Sequence, residues 1–345
     1  MTAPPAEEVR VNYGSIEKSL AELWRGEHAQ GDDAVTRAAL WNVIAHTWKA
    51  RDHTYASEVL SRVAATVPQR TIVVRAEPGV PDDIASWISA NCHMVGGEKQ
   101  ICSEEVAIVA GGRFVDRVPP LVNALLIPDM PVAVWWLGHL PTTEHEYVEN
   151  LFEAAERLIV DSAQFRSVDD LALVLRIAEL TRTTPADLNW VRLEEWRVAT
   201  AALFDPPDMR ARLRRIRAVR IVSTDEGEVF GRTAQSLLYA AWLAAQSGYD
   251  PASVTHHFEI EKHPADSGSL LRVIIAFDDG GEAAVAFDAD RHVLLGSWPA
   301  AESHLDSVTR IAPRKIDDLL IRQLERPDAD GVFVRVLPIA MRLAS

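Results

Sequence analysis

Apolar positions along the chain change period repeatedly, and the changes mark elements. Ile16, Leu20, Leu23 and Trp24 recur at helical spacing and predict a short helix over residues 17–25. Residues 38–48, rich in Trp, Val, Ile and Thr, predict a strand. Tyr55, Val59, Leu60, Val63 and Ala64 give residues 53–67 the stripe of an amphipathic helix. Residues 70–75 follow Pro68 as a strand, and residues 100–110 form another that ends at Gly111-Gly112. Between them, residues 81–89 predict a helix, since Pro81-Asp82-Asp83 has the form of a helix start, with carboxylates at the positive end of the dipole. Residues 114–126 predict a helix interrupted by Pro119-Pro120. Residues 131–137 lack polar alternation and predict a strand buried on both faces. A helix over 144–157, a strand over 158–161 and a helix over 168–180 complete this half. Alternating strand and helix argues for a mostly parallel, Rossmann-like sheet with helices on both faces.

Beyond about residue 185 the pattern changes. Helices are expected over 188–204 and 207–216, a strand over 218–223 and a helix over 231–248. Strands then follow one another over 253–262, 270–277, 283–287 and 292–298, with Asp278-Asp279-Gly280-Gly281 as a hairpin turn. A helix over 313–326 and a strand over 332–338 close the chain. The expected organisation is a Rossmann-like α/β domain over 1–184 and an α+β domain with an antiparallel sheet over 185–345.

Composition narrows the classes. A length of 345 residues suits about two domains. With 48% hydrophobic and 25% charged residues the chain is neither disordered nor fibrous. Thirty-five basic against fifty acidic residues leave a net charge of −15, which opposes general binding to nucleic acid or to anionic membranes. The opening residues lack a basic start and an apolar run, and residues 121–137 are broken by Asn123, Pro128, Asp129 and Pro131. The expectation is a soluble, cytoplasmic protein whose first residues, 1–14, are loose or swapped.

Motifs for chemistry are sparse. There is no G-x-G-x-x-G after a strand, no phosphate-binding P-loop and no G-x-S-x-G, so no cofactor is expected. His145-Glu146-x-x-Glu149 lacks the second His of a zinc helix and reads as an acidic helix face; no metal is expected. His257, Glu259 and Glu261, with His263 beyond, share one strand face and read as the wet side of a sheet. Cys92 and Cys102 are two buried thiols or, alternatively, a reversible redox pair. Two features fit a partner surface. Six arginines fall within residues 210–220; on a helix, Met209, Leu213 and Ile216 would be buried while Arg210, Arg214 and Arg217 line another face. Trp135-Trp136, Trp190 and Trp196 are the residue type that dominates protein–protein hot spots.

ICSEEV (101–106), LLIPDMPVAVWW (125–136), LIVDSA (158–163), DLNWVRLEEWR (187–197) and LFDPP (203–207) occur in this order. Together with LLYAAWLAAQSGYD (237–250) they resemble the OpcA family of glucose-6-phosphate dehydrogenase assembly proteins. The resemblance covers nearly the whole chain, and the D-L-N-W run is its most specific part. It implies a non-catalytic protein whose partner is glucose-6-phosphate dehydrogenase and which favours that enzyme's active oligomer. By motif it draws attention to Asp187, Asn189, Trp190, Arg192, Trp196 and Arg197, which serve either a partner or the joining of the domains. Glu104 and Glu105 have two readings: partners for another protein's basic residues, or bridges to this chain's own arginines. If Trp190 and Arg192 meet a partner, alanine there should lower activation more than stability. The alternative function is a sugar-phosphate enzyme or sensor using the strand-end crevice of the first domain.

Overall fold

A computed structural model describes residues 9–28, 36–37, 39–95, 99–142, 145–165, 167–224, 233–262, 269–298, 307–312, 314–326 and 330–344. In chain order the elements are β1 (Val9–Val11), α1 (Ile16–His28), β2 (Thr36–Arg37), β3 (Trp41–Thr47), α2 (Ala50–Ala64), β4 (Gln69–Glu77), β5 (Asp83–Val95), β6 (Lys99–Gly111), α3 (Val118–Ala124), β7 (Val132–Trp136), α4 (His145–Leu151), β8 (Arg157–Val160), α5 (Val168–Thr181) and β9 (Thr184–Asp187). They continue as α6 (Leu188–Arg192), α7 (Glu194–Leu203), α8 (Pro207–Ala211), β10 (Ile216–Thr224), α9 (Ala234–Ser247), β11 (Thr255–Glu261), β12 (Leu270–Phe277), β13 (Glu282–Asp288), β14 (Val293–Ser297), β15 (Ser307–Arg310), α10 (Ile316–Leu324) and α11 (Gly331–Ala344). Two compact units result. The first holds residues 1–160, 176–186 and 315–327; the second holds 161–175, 187–314 and 328–345.

The first unit is built on a nine-stranded sheet in the order β1-β5-β6-β4-β3-β7-β8-β9, with β2 beside β6. The pairs β6–β4, β4–β3, β3–β7 and β7–β8 are parallel. Counting from β3 and leaving aside the β1–β5 extension, the order is 3-2-1-4-5-6, that of a dinucleotide-binding sheet. All seven residues of β3 are buried, as parallel strands covered on both faces require. Helix α2 lays Ala56, Val59, Leu60 and Val63 on β3 and β4, and Arg62 reaches Asp317 of α10 at 3.4 Å. Strand β9 was not expected; its Pro185 suits the sheet edge, where a missing N–H is tolerated.

The expected helix at 81–89 is corrected to a strand. β5 pairs with β6 antiparallel over thirteen positions, and that ladder outweighs the local Pro-Asp-Asp signal. Asp82 instead accepts the Arg113 N–H at 2.9 Å and anchors the turn after β6. Gly112 makes that turn with φ at 54°, where a Cβ would lie 2.3 Å from the Asp82 carboxylate. Pro119 and Pro120 do not interrupt a helix but open α3, where their absent N–H groups cost nothing. Of the terminus expected to be loose or swapped, residues 1–8 lie outside the described residues, while Val9–Val11 is a strand that pairs with β5.

The second unit carries a six-stranded sheet ordered β11-β10-β12-β13-β14-β15. It is mixed rather than purely antiparallel, because β10 and β11 run parallel. The turn at 278–281 joins β12 to β13 as expected, with Gly280 at φ 82°. Ala234 through Ala244 are buried all round α9, which sits against β10 and α11. Helix α7 covers β13, β14 and β15; at Gly296 a Cβ would come 3.0 Å from Leu203, so glycine admits the helix. Two further expectations are corrected. Residues 332–338 are helical, because Phe333, Val336, Leu337 and Ala340 repeat at three-four spacing and bury against α9, even with Pro338 inside the helix. The arginine segment is not one helix: α8 ends at Ala211, a 3-10 turn spans Arg212–Arg215, and β10 begins at Ile216.

Candidate functional site

Two places concentrate side-chain chemistry, one in each unit. In the first unit, β3 and β7 are the neighbours between which strand order reverses, the place where ligands bind in such sheets. In a dinucleotide fold the turn after the first strand is glycine-rich. Here that turn is Thr47-Trp48-Lys49, leading into α2. His46 lies in register with Trp136, and their rings stack at 4.0 Å. Trp48 meets the His46 ring edge at 4.6 Å, and Tyr147 Oη lies 2.9 Å from His46 Nε2. Trp136 donates its indole N–H to the His139 carbonyl at 2.9 Å. Burial lowers the His46 pKa to about 3 and pushes Tyr147 above the ordinary phenol range, so this packed cluster stays uncharged. Outside it lies an open cavity of about 540 Å³ lined by Trp48, Glu77, Val80, His139, Pro141 and Thr142. Glu77 is bridged to Arg75 at 3.5 Å.

In the second unit the D-L-N-W run forms a buried clasp. Asp187 caps α6: its Oδ1 accepts from Asn189 N and Ser162 N, each at 2.9 Å, and its Oδ2 accepts from Ser162 Oγ at 2.6 Å. Asn189 Nδ2 donates to Ser162 Oγ at 3.1 Å. Beside it Arg192 holds Asp161 with two bonds of 2.6 and 2.9 Å. Burial, then the neighbouring Asp161 charge, raises the Asp187 pKa to about 6, against the pull of its hydrogen bonds. Trp190 gives its N–H to Asp330 at 2.8 Å, and Asp330 also caps α11 through Val332 N and Phe333 N at 3.0 Å. Arg197 stacks 3.6 Å over the Trp190 ring and bonds its carbonyl at 2.7 Å. Arg314 donates to the Val191 carbonyl at 3.0 Å and to Glu195.

The residues singled out from sequence therefore separate by exposure. Trp135, Trp136, Asp187, Asn189, Trp190 and Trp196 are buried, so any part they play for a partner runs through the fold. Glu104 and Glu105 are also buried: Glu104 meets Arg70 at 2.8 Å, and Glu105 accepts from Ser57 Oγ. Arg210, Arg214 and Arg217 are exposed, though not on one helix face. Arg210 bonds the Asp205 carbonyl at 2.8 Å, while Arg214 and Arg217 have no ion pair among the described residues. Cys92 and Cys102 face each other across β5 and β6 as a disulfide, with Cα atoms 4.0 Å apart. On β11, His257, Glu259 and Glu261 are exposed; His263 lies outside the described residues. No cluster of His, Cys, Asp or Glu that could hold a metal occurs among the described residues, and no described helix is long and apolar enough to cross a membrane. Sequence reasoning missed His46, Tyr147, Asp161, Ser162 and Asp330. Their signals were a lone His in an apolar strand and an Asp-Ser pair at a strand end.

Comparison with known proteins adds identity to this geometry. Residues 60–176 match the family model described as the glucose-6-phosphate dehydrogenase subunit N-terminal domain, and residues 183–337 match that of the C-terminal domain. The "Putative OxPP cycle protein OpcA" of Synechocystis sp. is 26% identical over 323 residues, covering 83% of this chain and 66% of the relative. The protein of the same name from Synechococcus elongatus is 31% identical over 230 residues, covering 64% of this chain and 50% of the relative. The chain thus spans between half and two thirds of the length of these curated relatives. The crystal structure of an oxidoreductase domain protein from Kribbella flavida covers 90% of this chain and 96% of its own, at 10% identity and a TM-score of 0.45. That likeness is too remote to carry chemistry across. With both domain models matched in order, the chain belongs to the OpcA family.

Proposed function

We propose that this chain is a non-catalytic assembly factor and allosteric activator of glucose-6-phosphate dehydrogenase, binding that enzyme's active oligomer in preference to its less active form. The observation that carries the reading is the first strand-to-helix turn. The sheet has the strand order of a dinucleotide fold, yet Thr47-Trp48-Lys49 stands where glycines would let a pyrophosphate reach the backbone. The packed His46–Trp136–Tyr147 cluster occupies the strand ends beneath. Membership of a family described by subunit domains of the dehydrogenase supports that enzyme as the partner. A preference worth about 1–3 kcal/mol would change the enzyme's substrate affinity roughly 5–150-fold.

A sugar-phosphate site in the strand-end cavity is the weaker reading. Its lining carries the Glu77 carboxylate and no Lys or Arg, a poor environment for a phosphate. The test is sedimentation of the chain with the dehydrogenase of the same organism, beside calorimetry of the chain alone with NADP and glucose 6-phosphate. A complex with no heat from either small molecule supports the proposal. Saturable nucleotide or sugar-phosphate binding without a complex sinks it.

A further inference from the structure

Where a sheet ends, its last strand carries unpaired N–H and C=O groups, and natural sheets blunt such edges. Three of the four terminal strands here follow that rule. β1 has three residues, β15 has four, and β9 has four with Pro185 among them. β11 does not. It runs seven residues in unbroken register with β10, without Pro, Gly or Lys, and no described strand pairs with its outer side. The edge is also open above and below. His256 and Phe258 share the face of Val219 and Ile221, which are buried. Yet both are only half-buried, and Ile260 beyond them is 39% exposed, so the cover over β10 stops short of this edge. On the other face His257, Glu259 and Glu261 are exposed, and Arg220 of β10 reaches Glu259 at 3.3 Å.

We propose that β11 pairs antiparallel with β11 of a second copy, joining the two six-stranded sheets edge to edge. The strand's own sequence argues for that occupant. A two-fold axis normal to the sheet through Phe258 is the register that pairs all seven residues. It sets Thr255 opposite Glu261, His256 opposite Ile260, His257 opposite Glu259, and Phe258 opposite itself. Each Glu259 carboxylate then faces an imidazole, and each exposed Ile260 meets a His256 ring. Moving the axis to His257 or to Glu259 leaves five pairs and opposes His257 to His257, or Glu259 to Glu259, where like groups repel. The two Arg220 side chains stand three strand spacings apart, about 14 Å, and each keeps its own Glu259. The contact is isologous and closes at two copies. Backbone bonds hold it rather than area. Along a joint about 24 Å long, alternate pairs exchange two N–H···O bonds each. A contact this narrow makes a weak, concentration-dependent dimer. The inference concerns the chain alone and stands or falls independently of any dehydrogenase.

Sedimentation velocity on the full chain from about 1 to 300 μM tests it. The expected result is reversible association to twice the 38.1 kDa monomer mass. Amide hydrogen exchange over the same range locates the joint: outward N–H groups of β11 should slow as concentration rises, and those of β15 should not. His257→Glu opposes carboxylates at both His257–Glu259 pairs and should weaken the dimer at least about tenfold. Adding Glu259→Lys in the same chain restores unlike charges and should recover most of the loss; Arg220, in register with position 257, then holds the new carboxylate. Both side chains are exposed, so folding should be unaffected, and circular dichroism melting verifies this. A wild type that stays monomeric throughout the range overturns the proposal. So does a dimer indifferent to His257→Glu, one that the double variant fails to restore, or one whose β11 amides exchange no more slowly than in the monomer.

Discussion

Asp187 is the residue whose environment asks most of it. It is fully buried, it lies near a second carboxylate, and it still caps a helix. Its pKa is about 6 in the fold against 3.8 for an ordinary aspartate, so the folded state holds the proton more tightly. The contribution is therefore greatest below pH 3.8 and is lost as pH rises through about 6. Asp187→Asn keeps the shape and can donate to Ser162 Oγ; it should flatten that part of the stability–pH curve, as urea melts between pH 4 and 7 would show. An unchanged slope would assign the titration elsewhere. Arg192 carries a different expectation. Its bidentate grip neutralises Asp161, whose side chain is 7% exposed against 28% for the arginine. Arg192→Ala should cost about 2 kcal/mol, less than the loss for a fully buried pair because water reaches the guanidinium. Reading D-L-N-W-V-R from sequence as a partner contact predicts lost activation with stability kept. The geometry predicts lost stability first, and thermal melts separate the two. The motif was legible as one unit, and the Asp cap as a cap. Asp161, Ser162 and Asp330 were not, because they come from distant chain segments that only the fold brings in.

At the scale of elements, local pattern reads well where it agrees with packing and fails where a long-range partner decides. Strands β3, β4, β7 and β8 were legible because fully buried parallel strands read as apolar runs. Strand β5 was not, because its ladder to β6 is invisible in the Pro-Asp-Asp signal. Helix α11 was misread as a strand because Val-Phe-Val-Arg-Val suits either period and Pro338 argues against a helix. That proline removes one helical hydrogen bond and crowds the preceding turn. Pro338→Ala should therefore raise stability by about 1 kcal/mol or more, measurable as a higher urea midpoint with unchanged slope. A lower midpoint would mean that the α11 packing depends on the kink. The arginine segment taught the same lesson. Its charge was plain, but its division into turn and strand follows from β10 pairing with both β11 and β12.

Across the whole molecule, buried groups of opposite kind give stability opposite dependences on pH. His46 in the first unit has its pKa lowered from 6.5 to about 3, so its contribution is full above pH 6.5 and is lost as pH falls toward 3. The slope can reach about 1.4 kcal/mol per pH unit. His46→Phe keeps the ring stack on Trp136 and should remove this acid sensitivity, whatever its offset in stability. Hydrogen exchange at pH 4.5 and 7 should show the first unit loosening in acid in the wild type and less so in the variant, the remainder coming from His53, whose pKa burial and then the Arg75 charge lower to about 4. Equal loosening in both would place the acid-sensitive group elsewhere. The same buried cluster underlies the functional reading, since it fills the strand ends where a nucleotide would otherwise lie.

Initial rates of glucose-6-phosphate dehydrogenase, measured across substrate concentration while this chain is titrated in, test that reading most directly. The account predicts a saturable fall in KM or rise in kcat that ends at a fixed ratio of chain to enzyme, with no turnover by the chain alone. Rates that stay flat at every ratio, or NADP reduction by the chain without the enzyme, would contradict it.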